Sequence, residues 1–388
     1  MIFITSFPYI GPRHIRVFDY FKKKDDLTFI LPAVWKMKDG KVTMKPIPKA
    51  GLNIIPARTF FFHSKYPIIR GHFKGWMPAT GRLLKRLAKH GDALFTVSEP
   101  NLFMTYLNGR LAKRFGLKHA FYTWQNVAYT QRMSGVKLKF TEWLVRKNIA
   151  LSRGAVCGNM KALEVLSPYL PAGFKTLVSP LSGVDTHQFR PDIAADFRQK
   201  NNLQDKILVT FIGAMDQRKG LATLLESFLD ASPKESRLHL LMIGAGPMDG
   251  FVKDFISQHS LQSKVTILPW QANEELPNIL CSSDIFIYAS TPIGGWEEQF
   301  GYSVAEAAAC QVPVISTPTG AISEKVIHGK TGLLIQPGDT IGFSQAILRL
   351  AADSELRKTM GQAGRELIVE RFSQEVIAAK LENFLRTL

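Results

Sequence analysis

Apolar positions along this chain fall into short blocks separated by polar and Gly- or Pro-bearing stretches. Ile2–Phe7, Leu27–Pro32, Leu52–Pro56, Ala93–Ser98, His119–Thr123 and Ala155–Gly158 are brief apolar or β-branched runs, which predict buried strands. Between them, Arg13–Lys24, Gly81–His90, Leu102–Phe115, Phe140–Ser152 and Lys161–Leu170 read as helices. This alternation predicts a doubly wound, mostly parallel α/β sheet. A polar stretch from Pro191 marks a hinge within Arg190–Asn202. Strands are then expected at Ile207–Ile212, Leu238–Ile243, Val265–Leu268, Asp284–Tyr288, Pro313–Ser316 and Gly332–Pro337. From Asp339 the chain reads as mostly helical, ending in a helix over Gln374–Leu388.

The densest chemistry follows Asp284–Tyr288. Pro292, Gly294 and Gly295 break the chain into a loop, and the Ala-rich run after Gly301 favours helix. Such a loop lies at the carboxyl edge of a parallel sheet, where open α/β folds bind ligands. A helix N-terminus near Tyr302 offers free N–H groups and a positive dipole end, which suits a phosphate. Glu298 and Glu306 flank it, and a carboxylate accepts hydrogen bonds from sugar or ribose hydroxyls. Ser303-x-x-Glu306 fits a capping box equally, and Glu298 fits an exposed loop acid.

The chain's 388 residues suffice for two α/β domains. No apolar run approaches the ~18 residues of a membrane span, and the opening Ile2-Phe3-Ile4 reads as a strand rather than a signal peptide. Three cysteines, Cys157, Cys281 and Cys310, lie far apart in sequence, which argues for a reducing compartment and against a disulfide framework or zinc site. Residues 1–190 hold 31 Lys or Arg and 9 Asp or Glu, a net +22; the remainder holds 18 and 23, a net −5, within the total of +17. Such asymmetry points to an anionic partner for the first half. No helix-turn-helix, zinc-finger or RNP-type signature accompanies it, so nucleic acid is not expected. Gly244-x-Gly246 is followed by Pro247 and is not a dinucleotide fingerprint; Gly329-Lys330-Thr331 lacks the P-loop's first glycine, Glu324 standing there.

Glu298-x7-Glu306 around Phe300-Gly301, the Ala-rich helix and Pro313-Val314-Ile315 together resemble glycosyltransferase family 4, retaining GT-B enzymes that use nucleotide-sugar donors. Gln311-Val312 replaces the glycine usual before the Pro-Val strand. The resemblance implies two Rossmann-like doubly wound α/β domains facing across a cleft. Residues 1–190 would bind acceptor, 191–370 would bind the nucleotide-sugar, and a helix over 371–388 would pack back on the first domain. The segment Gly213–Gly220 resembles a family segment whose arginine and lysine grip the donor diphosphate. Lys219 and Gly220 match; Ala214 stands at the arginine position, so that contact is missing or passes to Arg218.

The implied donor site is therefore Lys219, Arg218 and Gly213 with the N–H groups after Gly301 and at Tyr302 on the diphosphate, Glu306 on the ribose and Glu298 on the sugar. Lys219 and Glu298 are the catalytic candidates. Gln125, with Asn126, replaces a His-Asp pair whose histidine contacts donor sugar; it can bond a hydroxyl but cannot act as a base. Gly11, Arg13 and His14, after the first strand, are assigned to the acceptor, although a solvated basic helix start fits them as well. No Asp-x-Asp occurs, so neither metal nor other cofactor is implied.

The expected partners are a UDP- or GDP-sugar and a lipid-linked or anionic acceptor of polysaccharide or glycolipid synthesis. Gly81–His90 reads as an amphipathic helix, with Arg82, Lys85, Arg86 and Lys89 opposite Leu83, Leu84 and Leu87; taken alone it fits an ordinary surface helix whose leucines pack on the first sheet. With the aromatic run Thr59–Phe62, it suggests a cytoplasmic enzyme in peripheral contact with an anionic inner membrane face. The rivals are a GT-B sugar-nucleotide epimerase and a non-catalytic membrane-surface binding protein.

Overall fold

The computed structural model describes residues 1–5, 8–36, 43–62, 73–193 and 196–388. Ser6 and Phe7 of the expected first strand lie outside them, as do positions 194 and 195 of the expected hinge. The chain divides into two compact units, Met1–Gly183 with Gln374–Leu388, and Val184–Ser373. It enters the second unit at Val184 and leaves it at Ser373, whereas the sequence placed the divisions after 190 and 370. The entering and leaving segments pair side by side, with the Val184 N–H donating to the Phe372 carbonyl at 2.8 Å.

In the first unit, β1 (Ile2–Thr5), β2 (Leu27–Pro32), β3 (Asn53–Ala57), β4 (Ala93–Thr96), β5 (Lys118–Thr123), β6 (Gly154–Cys157) and β7 (Lys175–Val178) form one parallel sheet. Their order is β3-β2-β1-β4-β5-β6-β7. β1, β2, β4 and β6 are buried throughout because both faces of the sheet are covered. Ile2, Ile4, Phe29 and Phe95 face the turn Arg16–Tyr20 and the last helix, Gln374–Arg386, which contributes Ile377, Leu381 and Leu385. On the other face Phe3, Ile30 and Leu94 pack with Leu84 and Ala112 of helices Thr80–Leu87 and Phe103–Phe115. Phe121 and Ala155 pack with Val145 and Ile149 of helix Gly135–Ala150.

Two local expectations fail. Arg13–Lys24 is not one helix but a turn of α-helix, Pro12–Ile15, followed by the 3₁₀ turns Arg16–Tyr20 and Lys24–Asp26. The Phe21 N–H closes on Phe18, three residues back, and the chain then extends, which lets Val17, Phe18 and Phe21 all reach the core. The edge strand β7 was not foreseen, because two of its four residues face solvent and no apolar run marks it.

In the second unit, β8 (Ile207–Ile212), β9 (Leu238–Ile243), β10 (Val265–Leu268), β11 (Ile285–Tyr288), β12 (Val314–Ser316) and β13 (Gly332–Leu334) form a parallel sheet ordered β10-β9-β8-β11-β12-β13. In each sheet the order reverses about the unit's first strand, between β1 and β4 and between β8 and β11. The crevice at the carboxyl ends of such a strand pair is the ligand position of doubly wound folds.

The last helix is fastened to the first unit by charge as well as by leucines. Glu382 accepts the Lys22 N–H at 2.7 Å and the Lys23 N–H at 3.2 Å, and Arg386 bridges it to Asp26. Burial alone would push this carboxyl up, but those N–H groups and Arg386 hold it below its ordinary 4.5. A depressed carboxylate stabilises the fold above its unfolded pKa, and that contribution is lost as pH falls through the folded value. Glu382→Gln is expected to lower unfolding free energy by about 1–3 kcal/mol at pH 7. The gap between variant and parent in denaturant titrations should close as pH drops below 4.5.

Candidate donor site in the second unit

The loops after β8 and β11 meet at the reversal point. Their approach depends on glycine: Gly220 has φ +62°, and a Cβ there would lie 1.9 Å from the Ala289 carbonyl oxygen. The Arg218 carbonyl then accepts the Thr291 N–H at 2.9 Å and the Ser290 hydroxyl at 3.1 Å. Thr317 and Thr319, beyond β12, donate their hydroxyls to the Ser290 carbonyl at 2.6 and 3.1 Å. Three consecutive carboxyl-edge loops are thus tied together by short polar bonds.

This frame brings Lys219 against Glu298, Nζ to Oε2 at 2.8 Å, with each residue only 9% exposed. The Tyr288 hydroxyl, at the end of β11, donates to the same oxygen at 3.0 Å. Burial and then the Glu298 charge push the Tyr288 phenol well above its usual range, so it remains a donor. The Lys219 ammonium also lies 5.0 Å from the Tyr288 ring and 4.9 Å from the Trp296 ring. Glu298 is therefore not an exposed loop acid. Its backbone is held by the Ala321 N–H, which donates to the Glu298 carbonyl at 2.9 Å. Gly320, at φ +59°, passes so close that a Cβ would fall 2.0 Å from that oxygen.

Arg218 is half-exposed, doubly bonded to Asp216 and stacked 4.6 Å from the Trp296 ring. Gly213 follows β8 directly, where a Cβ would crowd the Phe211 ring at 3.1 Å. Gly301, at φ +76°, is the N-cap of helix Tyr302–Ala309, so Tyr302 opens that helix and Glu306 is buried one turn in. Because the helix begins at Tyr302, Ser303 lies inside it, and Ser303-x-x-Glu306 is not a capping box.

The remaining candidates lie in the first unit. Gln125 donates its amide to the Val127 carbonyl and accepts from Arg132 at 2.9 Å, so both ends of its side chain are engaged locally. Gly11 is the extended N-cap of Pro12–Ile15. Arg13 and His14 are half-buried. Burial, reinforced by Arg13, lowers His14 to about 4, so its imidazole is neutral at pH 7 and brings no cation to an anionic acceptor.

Several contributors escaped the sequence reading: Asp216, Tyr288, Trp296 and Lys325 around the second-unit site, and Glu99 in the first unit. Glu99 accepts the Thr123 hydroxyl at 2.6 Å and the Trp124 N–H at 2.8 Å, fixing the chain just ahead of Gln125. Lys325, fully buried, donates to the Ala321 carbonyl at 2.9 Å and lies 4.3 Å from the Phe300 ring. Nothing in Ser323-Glu324-Lys325-Val326 distinguishes this lysine from a solvated one. Cys281 and Cys310 are free thiols, and the Cys281 thiol donates to the Arg190 carbonyl at 3.1 Å. Among the described residues no cluster of His, Cys, Asp or Glu fit for a metal occurs, and no helix is long and apolar enough to cross a membrane.

Along their whole length, the two sheets and their connections match solved structures. Anabaena HepE in complex with UDP superposes with a TM-score of 0.76 at 15% identity, covering 100% of this chain and 99% of that one. Sucrose-phosphate synthase from Thermosynechococcus elongatus gives 0.71 at 19%, covering 100% and 98%. The fold is GT-B. Within this GT-B chain, residues 192–367 match the family model for glycosyl transferases group 1. The GDP-mannose-dependent alpha-(1-6)-phosphatidylinositol monomannoside mannosyltransferase of Mycobacterium tuberculosis (strain ATCC 25618 / H37Rv) is 30% identical over 224 residues, 57% of this chain and 58% of the relative. N-acetyl-alpha-D-glucosaminyl L-malate synthase of Bacillus anthracis is 34% identical over 143 residues, 37% and 36% of the two chains. The chain thus spans well under two thirds of the length of these relatives.

Burial lowers Lys325 from 10.5 to about 8, only partly offset by Glu324 and Glu298. The unfolded chain holds that proton more tightly, so stability gains as pH rises from about 8 towards 10.5. Relative to Lys325→Met, the parent is expected to gain up to roughly 3 kcal/mol across that interval in denaturant titrations. Parallel pH profiles for the two proteins would mean that Lys325 is solvated.

Proposed function

We propose that this protein is a retaining glycosyltransferase of family 4 that moves a sugar from a UDP- or GDP-sugar to a lipid-linked or otherwise anionic acceptor. The observation that carries this reading is the buried Lys219–Glu298 pair at the β8/β11 reversal point, beside the helix that opens at Tyr302. Lys219 and Arg218 face the departing diphosphate, where cations stabilise the charge that develops as the glycosidic bond breaks. Main-chain N–H groups from Tyr302 onward supply the same stabilisation through the helix dipole, so no metal is required. Glu306 accepts from the ribose hydroxyls and Glu298 from those of the sugar. The Lys219–Glu298 contact couples the two ends of the donor, since one ion pair positions both the diphosphate cation and the sugar carboxylate.

No side chain is assigned as a nucleophile. In the proposed chemistry the leaving phosphate assists attack on the same face, as the resemblance to family 4 implies. The relatives that act on GDP-mannose with a phosphatidylinositol monomannoside, and the UDP complex of HepE, support a nucleotide-sugar donor without fixing its base. The first unit meets the acceptor, and its basic excess draws it to an anionic inner membrane face.

Glu306→Ala and Lys219→Ala are each expected to weaken UDP- or GDP-sugar binding by about 1.5–3 kcal/mol, roughly tenfold to a hundredfold in Kd by calorimetry. Parent-like affinity in both would remove the site assignment. Failure of the parent to bind any nucleotide-sugar would remove the enzyme reading, and isomerisation of the donor without acceptor would favour an epimerase.

Glu298→Ala is expected to depress turnover more than it weakens binding of the bare nucleoside diphosphate, because its contact is with the sugar. Equal losses for nucleotide and nucleotide-sugar would place Glu298 elsewhere.

A further inference from the structure

Helix Gly135–Ala150 carries two apolar stripes, and the fold uses only one. Thr141, Leu144, Val145, Asn148 and Ile149 point into the first unit and are buried. Val136, Phe140 and Trp143, spaced i, i+4 and i+7, form a second stripe that is 85%, 36% and 43% exposed. A helix on the surface of a soluble core needs one apolar face; a second one facing outward marks a contact surface.

The outer stripe does not stand alone. Phe140 lies 6.0 Å from Phe103, and Phe103 stacks on Phe73 at 4.9 Å and 4°. Trp143 stacks on Phe140 at 5.7 Å and approaches Tyr106 at 6.4 Å, over which Arg110 sits. The result is a continuous run of rings across the starts of two adjacent helices. Beside it, a groove of about 880 Å³ has an apolar floor including Met104, Leu107 and Leu111, and a basic rim including Arg110, Arg114 and Lys147.

Charge selects the partner. Helices Thr80–Leu87, Phe103–Phe115 and Gly135–Ala150 together carry ten Lys or Arg against one acid, Glu142. Rings that reach the headgroup level, flanked by cations, are the composition of an interfacial helix on an anionic bilayer. Helix Thr80–Leu87 cannot be the inserting element: Leu84 is fully buried and Leu83 and Leu87 pack beside it, leaving only Arg82, Lys85 and Arg86 outward.

We propose that the first unit binds anionic membranes by inserting the Phe140–Trp143 stripe of helix Gly135–Ala150, with the basic residues of the three-helix layer on the surrounding phosphates. This specifies the membrane contact of the reading above and rests on it for the contact's purpose alone.

The test is flotation with vesicles of equal parts phosphatidylcholine and phosphatidylglycerol, at low and high salt, without nucleotide. The parent is expected to float at low salt and to be released at high salt. Phe140→Ser/Trp143→Ser is expected to partition at least about tenfold less. Binding should also shift the tryptophan emission to the blue, and Trp143→Phe should remove most of that shift. The far-UV and near-UV circular dichroism of the double variant should equal the parent's apart from the lost rings, which shows that the first unit is folded. Absence of flotation at low salt, or parent-like flotation of the double variant, would overturn the proposal. So would a parent dimer, seen by ultracentrifugation, that the double variant dissolves, since a second copy would then cover the stripe. Nucleotide binding is measured without lipid and flotation without nucleotide, so either reading can fail while the other stands.

Discussion

The second unit is arranged around one buried ion pair whose partners are 79 positions apart in the chain. Taking an ammonium and a carboxylate out of water is costly, and their mutual attraction offsets this only when geometry and further hydrogen bonds are good. Here the Tyr288 hydroxyl and two aromatic faces supply the further contacts. The glycines at 220 and 320 let the supporting backbones close to carbonyl contact. Losing either charge would leave the other buried without its counterion. The polar bonds among the loops after β8, β11 and β12 hold that geometry from outside.

The strands were legible because a parallel sheet covered on both faces demands continuous apolar runs, and β1, β2, β8 and β9 are such runs. Where the demand lapses, so does legibility. The edge strand β7 is half solvated, and the segment after Pro12 satisfies its core contacts with 3₁₀ turns that carry no helical period. The site divides in the same way. Glu298, Glu306, Lys219 and Gly301 stood out because they recur as a spaced motif within one or two loops. Tyr288, Trp296 and Lys325 contribute through proximity between loops, and local sequence does not encode that proximity.

The basic first half shows a different limit. Its charge was plain from composition, but the helix that best fitted an amphipathic pattern, Thr80–Leu87, spends its leucines on the core. The outward stripe of helix Gly135–Ala150 was concealed because apolar residues on both sides blur a helical period.

The last helix belongs to the first unit although it follows the whole of the second. The second unit is contiguous and complete by Ser373, so it has all its parts before the first unit does. During synthesis the face of the first sheet formed by Ile2, Ile4, Phe29 and Phe95 has only the turn Arg16–Tyr20 and its neighbours against it, and lacks the last helix until residues 374–388 leave the ribosome. Domains usually mature in the order they are made. In this chain the order is inverted, and the nascent first unit must keep an apolar sheet face from aggregating through some 190 residues of elongation.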